Sequence, residues 1–371
     1  MRSSDLATIQ AHLTNRLDPS AGRAVRLAGI IGDRPSQYAK SPSLWNAVFQ
    51  KLEVDAVYLP LDVDGPSLPA LIRALRESDR VLGVSVTMPY KVTIIEHLDG
   101  LDEKARQIGA VNTVVRTEAG RLLGHNTDGS GFLRSLTTAM PPGAEPLLPD
   151  PKGVDVLIIG AGGAARAVAF YLAEAIGRGR LLIANRTHDT AASLADEVNK
   201  AYGNAGVVVE DDIPAAVPSV GLVVNCSTKG QSGIRKLPVG RVTTLEPYSA
   251  LAPANPAAFP DSEISQGAGL YRRWFEASLP DIERNNHASA EVALKMPAST
   301  AAYDLIYAPL ETVFLRHCRL AGHRTANGKG MNIAQAVEGL CDRVCRSYFR
   351  EIGLDPVETE RLAAQIMSEV W

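Results

Sequence analysis

The sequence predicts an α/β protein of two domains, and three observations carry that expectation. Short apolar runs alternate with segments of helical spacing, the pattern of strands and helices wound into a largely parallel sheet. The alternation breaks at Met140–Gly153, rich in Pro and Gly, and then starts again. The chain has 371 residues, enough for two domains that each bury a core.

In the first block, Leu27–Gly32 is an apolar run ending in a turn signal, so a buried strand. Ser43–Leu52 puts Leu44, Val48 and Leu52 on one helical face. Ala56–Leu61 reads as a strand, Ser67–Leu75 as a helix, and Val81–Val86 as a strand closed by Pro89. Ala110–Val115 and Arg121–Leu123 flank Glu118-Ala119-Gly120 and read as a hairpin of the same domain. Met1–Ala21 is polar and mixed in charge, with no apolar signal-peptide core, and is expected to be a ragged or helical extension.

In the second block, Val154–Ile159 is apolar throughout, as a strand buried on both faces would be. An apolar helix follows at Ala167–Ala175, then a strand at Leu181–Ala184, a helix at Thr190–Ala201 and a strand at Gly221–Val224. Leu237–Ser299 starts rich in Pro, Ala and Ser and turns mixed and charged, which suits a surface insertion or a lid. Within it, Arg272-Arg273-Trp274 reads as a surface patch. Order returns at Tyr303–Tyr307 and in a helix over Leu310–Leu320. Met331–Trp371 is helical, interrupted at Gly353 and Pro356.

Composition narrows the function classes. Hydrophobic residues make up 46% and charged residues 21%, with a net charge of −3, so neither nucleic acid nor a membrane surface is the expected partner. No apolar run has the length of a bilayer span. The four cysteines (Cys226, Cys318, Cys341, Cys345) form no CxxC pair. No histidine joins Cys or carboxylates at metal-binding spacing, so no metal is expected. So few cysteines suit a reducing compartment, and a cytoplasmic location is the expectation.

The strand at Val154–Ile159 runs directly into Gly160-Ala161-Gly162-Gly163-Ala164-Ala165 and then a helix. In a strand–turn–helix context this is the Gly-x-Gly-x-x-Ala form of a dinucleotide loop. Gly160 permits the tight turn, Gly162 lets backbone approach a pyrophosphate, and Ala165 permits close packing of helix on strand. The phosphates would sit at the helix N-terminus, where free N–H groups and the dipole favour negative charge. About twenty residues on, an acidic residue would favour NAD. Here stand Asn185, Arg186 and Thr187. A guanidinium at this place suits adenine stacking and a 2′-phosphate, so NADP is expected, with NAD the alternative.

Several motifs together resemble the shikimate/quinate dehydrogenase family. They are Val86-Thr-Met-Pro-Tyr-Lys91, Gly109-Ala-Val-Asn-Thr113, Gly124-His-Asn-Thr-Asp-Gly129, the glycine loop, Asn185-Arg-Thr187, Asn327-Gly-Lys-Gly-Met331 and Ala334-Gln335. They occur in that family's order, from about Gly29 to about Arg343. The resemblance implies an N-terminal α/β substrate domain and a Rossmann-like dinucleotide domain, with a cleft between them and the last helices returning to the first. The expected boundaries are residues 1–130 with 326–371, and 131–325 carrying an insertion at about 235–300.

The resemblance also implies roles. Lys91 matches the catalytic lysine and Asp128 its partner. Asn112 matches a residue that binds substrate hydroxyls, and Ser41, Thr87, Tyr307 and Gln335 match other substrate contacts. Gly160, Ala161, Gly162, Gly163, Ala164, Asn185, Arg186 and Thr187 would hold the cofactor, with Gly330 and Met331 near the nicotinamide. The implied reaction is NADP-dependent, reversible reduction of 3-dehydroshikimate to shikimate. A quinate or aminoshikimate-type dehydrogenase, or a ligand sensor on the same fold, are the rivals. The chain would work as a monomer or homodimer on a small cyclic hydroxy acid.

The chemistry stands on its own terms. Moving a hydride from a secondary alcohol leaves a hydroxyl proton, and a group within hydrogen-bond reach must take it. A lysine oriented by a carboxylate can do so, and strand ends are where α/β sheets put such groups. His125, just before Asn126-Thr127-Asp128, is a further candidate for the cleft. The sequence departs from the family pattern at three places. Ala39 replaces one of two hydroxyls in the turn Tyr38-Ala39-Lys40-Ser41-Pro42, Ser85 stands where many members have asparagine, and the 233–299 segment is long.

Overall fold

Sequence periodicity translates into strands whose neighbours are set by short connections. The computed structural model describes residues 2–140, 143, 145–236, 242–259 and 268–371. Parts of the Pro/Gly-rich break and of the insertion therefore lie outside the described residues. The chain divides into two units. Met1–Ser135, Ala139–Glu145 and Gly330–Trp371 form the first, and Leu136–Thr138 with Pro146–Lys329 the second.

The first unit opens with α1 (Arg2–Gln10), which buries Leu6 and Ile9. The polar N-terminal extension is thus a docked helix. Next come β1 (Arg26–Gly32), α2 (Pro35–Tyr38), α3 (Ser41–Lys51), β2 (Ala56–Asp62), α4 (Leu68–Glu77) and β3 (Val81–Val86). Then follow β4 (Gly100–Leu101), α5 (Glu103–Ile108), β5 (Thr113–Arg116), β6 (Leu122–His125) and α6 (Asp128–Thr137). The sheet order is β2-β1-β3-β5-β6-β4. β1 pairs parallel with β2 and β3, while the β5–β6 hairpin is antiparallel and joins β3 antiparallel. This sheet is therefore mixed, because a hairpin needs only a tight turn whereas parallel strands need crossovers. Strand β4 and helix α5 had no signal strong enough to read. Asp102 nonetheless caps α5 by accepting from Ala105 N at 2.7 Å, and Gly109 ends it in the left-handed region at φ 68°.

Helix α3 starts with Pro42 in its first turn and buries Leu44, Trp45, Val48 and Phe49. Each such side chain contributes about 1.5–3 kcal/mol on full burial.

The second unit holds β7 (Val156–Ile159), α7 (Gly163–Ile176), β8 (Leu181–Ala184), α8 (His188–Ala201), β9 (Ala205–Val208), α9 (Ile213–Ala216) and β10 (Leu222–Asn225). It continues with β11 (Ile234–Lys236), β12 (Val242–Thr244), α10 (Ala268–Lys295), β13 (Ala301–Asp304), α11 (Val313–Leu320) and β14 (Thr325–Ala326). Its sheet is all parallel in the order β14-β13-β10-β7-β8-β9. Outward from β7 the order runs one way to β8 and β9 and the other way to β10 and β13, which makes the β7/β10 boundary the switch point of a doubly wound sheet.

The insertion builds a small core of its own from Val242, Leu245, Tyr248, Phe259, Leu270, Trp274 and Ile282. Trp274 is therefore not part of a surface patch. It is buried, and its Nε1 donates to Thr243 Oγ1 at 2.8 Å and to Ala257 O at 2.7 Å. The two arginines before it misled because one face of a helix can be basic while the next residue points inward.

The chain closes with α12 (Lys329–Glu338), a π-helical turn at Gly339–Val344, α13 (Arg346–Glu351) and α14 (Pro356–Glu369). Cys341 and Cys345 are buried free thiols in this region. Among the described residues no group of metal-ligating side chains gathers, and no helix is long and apolar enough to cross a membrane.

Candidate functional site

Two polar sites form, one in each unit. In the first unit, Lys91 lies in the turn beyond β3 and Asp128 is the first residue of α6. Lys91 Nζ donates to Asp128 Oδ2 at 2.5 Å, and both side chains are mostly buried. The other carboxylate oxygen, Oδ1, accepts from Asn112 Nδ2 at 2.9 Å. Asn112 itself is tied down. Its second amide hydrogen goes to Thr127 Oγ1 at 3.0 Å, and its Oδ1 accepts from Thr127 N at 2.8 Å and Thr113 Oγ1 at 3.0 Å. Its backbone bridges strands too, since Val86 N donates to Asn112 O and Asn112 N donates to His125 O. The Ala-Val-Asn-Thr and Asn-Thr-Asp-Gly motifs are thus one network, with Thr113 and Thr127 as members the sequence did not single out.

Gln335 lies on α12 beside this network, and Thr127 Oγ1 donates to its backbone O at 3.3 Å. Gly131 permits that approach, because a Cβ there would come 2.7 Å from Gln335 N. Ser41 begins α3 and is buried. The buried Tyr58 hydroxyl sits beside Ser41 and Ser85 without meeting either in hydrogen-bond geometry, and burial pushes its ionisation well above the ordinary tyrosine value. Thr87 is half-buried just past β3, where its N donates to Ile31 O. His125 is engaged elsewhere, with Nδ1 2.7 Å from Asp102 Oδ2.

In the second unit a cavity of ≈ 370 Å³ opens at the C-terminal edge of the sheet. It is lined by residues following four strand ends: Gly160–Gly162 after β7, Asn185–Thr187 after β8, Glu210 after β9 and Cys226–Lys229 after β10. That is where a doubly wound sheet binds its ligand. Gly160 has φ 112°, and a Cβ on it would come 2.9 Å from Cys226 C and Ser227 N, so glycine is required by the protein's own backbone. Gly162 and Gly163 differ, since a Cβ on either would meet no protein atom within 4 Å. Packing does not demand glycine there, whereas a pyrophosphate lying on the turn would. Ala165 is fully buried where α7 meets the sheet. The loop therefore fits a dinucleotide.

Arg186 is exposed at the pocket, and among the described residues no carboxylate pairs with it. Gly163 and Ala164 start α7 beyond the lining residues. Gly330 and Met331 are buried at the start of α12, in the first unit. There a Cβ on Gly330 would come 2.8 Å from Met140 O, so packing alone accounts for that glycine. Tyr307 follows β13 in the second unit, half-buried, with its ionisation raised by burial. Sequence reasoning missed Lys229 and Glu210, which form an ion pair inside the pocket. Neither carries a motif, and their pairing depends on the sheet order.

Comparison with known proteins bears on both sites. Residues 30–114 match the family model of the shikimate dehydrogenase substrate binding domain, and residues 144–244 that of shikimate / quinate 5-dehydrogenase. The shikimate dehydrogenase (NADP(+)) of Symbiobacterium thermophilum is 33% identical over 361 residues, covering 95% of this chain and 97% of that protein. That of Carboxydothermus hydrogenoformans is 34% identical over 84% of this chain and 89% of its own. Among solved structures, shikimate 5-dehydrogenase from Thermus thermophilus in complex with NADP(H) and shikimate superposes with a TM-score of 0.60 at 27% identity, covering 92% of this chain and 99% of that one. Quinate dehydrogenase from Corynebacterium glutamicum in complex with NAD gives 0.64 at 26%, covering 90% and 97%. With a Lys–Asp–Asn network in one unit, a dinucleotide loop in the other and relatives matching nearly end to end, the chain belongs to the shikimate/quinate dehydrogenase family.

Proposed function

We propose that this chain is an NADP-dependent dehydrogenase interconverting 3-dehydroshikimate and shikimate. The observation that carries this reading is the Lys91–Asp128 contact at 2.5 Å with Asn112 fixed on the opposite carboxylate oxygen. A bound nicotinamide would take a hydride from the alcohol carbon, or return it in the other direction. Lys91 accepts the hydroxyl proton during oxidation and donates it to the developing alkoxide during reduction. Asp128 holds the Nζ in place. Asn112 orients Asp128 and keeps the role at a substrate hydroxyl that the family likeness gives it, while Thr127 holds Asn112 in place. Ser41, Thr87, Gln335 and Tyr307 are the residues we assign to the substrate, and Arg186 to the 2′-phosphate. The enzyme would act in the cytoplasm as a monomer or homodimer.

One feature favours a second reading, a quinate-type or related dehydrogenase. Ala39 leaves one hydroxyl where the family usually has two for the substrate carboxylate. An unreplaced hydrogen bond to a charged group costs about 1.5–3 kcal/mol. A ligand sensor would not need Lys91 and Asp128 held in contact. One plate separates these readings: purified protein with shikimate or quinate, each with NAD⁺ or NADP⁺, followed by absorbance of the reduced cofactor. Fastest turnover with shikimate and NADP⁺ is expected. Preference for quinate would move the assignment to the second reading, and cofactor binding with no turnover on any pair would point to a sensor.

A further inference from the structure

The insertion turns one polar stripe of α10 toward the chain between Thr243 and Ala257. Trp274, Ser278, Asp281, Asn285 and Ser289 recur at helical spacing, and each hydrogen-bonds that segment. Asn285 is the centre of it. Fully buried, it accepts from Ser249 N at 2.8 Å and donates to the carbonyls of Ser249, Ala252 and Pro253 at 3.1, 2.9 and 3.0 Å. Asp281 accepts from Asn255 N at 2.7 Å. The strap so held reaches the dinucleotide pocket, where Ala254, Asn255 and Pro256 form part of the lining.

A second tie joins the strap to the sheet. Lys229 Nζ donates to Ala252 O at 2.9 Å and pairs with Glu210, both side chains being mostly buried. Lys229 follows β10 and Glu210 follows β9, strands that β7 and β8 separate in the sheet. The ion pair therefore spans the C-terminal edge on which a dinucleotide would lie, and anchors the strap over it. The half beyond β7, toward β8 and β9, takes the adenosine end in a doubly wound sheet.

We infer that the insertion is an adenosine-binding element, with Asn255 at the ligand and Asn285 as its positioning residue. This rests on the dinucleotide reading of the pocket. The strap lies beyond the stretch that matches the family's second model, which ends at residue 244. It would make cofactor affinity depend on a segment with its own small core.

The test is calorimetric binding of NADP⁺ and of 2′,5′-ADP, which lacks the nicotinamide, to the full chain, with circular dichroism as the folding control. Asn285→Ala is expected to weaken both ligands about tenfold, because it releases four backbone groups of the strap. Asn255→Glu, at an exposed position, is expected to weaken both by a similar factor through repulsion of the phosphates, and it carries the measurement should Asn285→Ala not fold. Unchanged affinity of folded Asn255→Glu overturns the inference, as does a loss seen with NADP⁺ and absent with 2′,5′-ADP. Failure of the unaltered chain to bind either ligand overturns the pocket reading itself, a result distinct from both.

Discussion

Asn112 donates to Asp128 Oδ1 at 2.9 Å, while Lys91 donates to the other carboxylate oxygen, Oδ2. The carboxylate is thereby held at both ends, by a cation and by an amide whose other bonds are satisfied. Its plane is fixed, and so is the position of the lysine it holds.

Lys91→Ala removes the group assigned to proton transfer and should lower kcat by at least about a hundredfold. The dinucleotide pocket belongs to the other unit, so the Kd for NADP⁺ should stay within about twofold. Near-normal turnover in steady-state kinetics would take Lys91 out of the chemistry.

Asn112→Ala acts through Asp128. It leaves Asp128 Oδ1 and Thr127 N without their partner in a buried setting, which costs about 1–3 kcal/mol each. The melting temperature should fall and kcat with it. Asn112→Asp is expected to be worse for kcat at neutral pH, because two carboxylates would then face each other. If both variants match the parent in kcat, the network does not orient the catalytic pair.

These two sites were unequally legible in the sequence. Lys91, Asp128 and Asn112 stand in short motifs next to strand ends, where position along the chain nearly dictates position in space. The same holds for Gly160, whose left-handed φ only a strand-to-helix turn demands. Strand β9 is hard to read because Ala205–Val208 is only four residues long and opens on Ala and Gly, so neither length nor alternation marks it as a strand. Lys229 and Glu210 are nineteen residues apart and meet only because the chain crosses from β9 back to β10. The polar stripe Trp274–Ser289 has helical spacing in plain view. It acquires meaning only once residues 249–257 are known to run alongside it.

Arg186→Asp tests the cofactor assignment. A guanidinium on a phosphate forms charge-assisted hydrogen bonds worth about 1.5–3 kcal/mol. The substitution should weaken NADP⁺ by at least about tenfold while NAD⁺ changes little or improves. Equal losses for the two cofactors would show that Arg186 does not read the 2′-phosphate.

Asp304 gives the fold a pH dependence. Burial raises its carboxyl from 3.8 to about 7, outweighing hydrogen bonds from Thr312, Ile306 N and Asn225 that favour the ionised form. Between pH about 4 and about 7 the unfolded chain has lost this proton while the folded chain keeps it. The unfolded state then binds fewer protons, so this group's contribution to stability falls as pH rises through that window and levels above it. Asp304→Asn removes the titration. Melting temperatures of parent and variant, measured from pH 4.5 to 8, should shift in the variant's favour as pH rises. Parallel curves would mean that Asp304 is not protonated in the folded chain at low pH.

Ala39→Ser addresses the substrate. Ala39 follows α2, its N–H donates to Pro35 O at 3.0 Å, and its side chain is half-buried two residues before Ser41. A serine there adds one oxygen without disturbing that backbone bond, so the fold should tolerate it. If the pocket takes a cyclic acid through the family's carboxylate site, the new hydroxyl should lower KM for shikimate by about tenfold, the equivalent of one hydrogen bond to a charged group. Its effect on kcat should be small, since the carboxylate does not change charge during hydride transfer. An unchanged KM for both shikimate and quinate would mean that the carboxylate, where the substrate has one, is held elsewhere, and that alanine at this position is no lost contact.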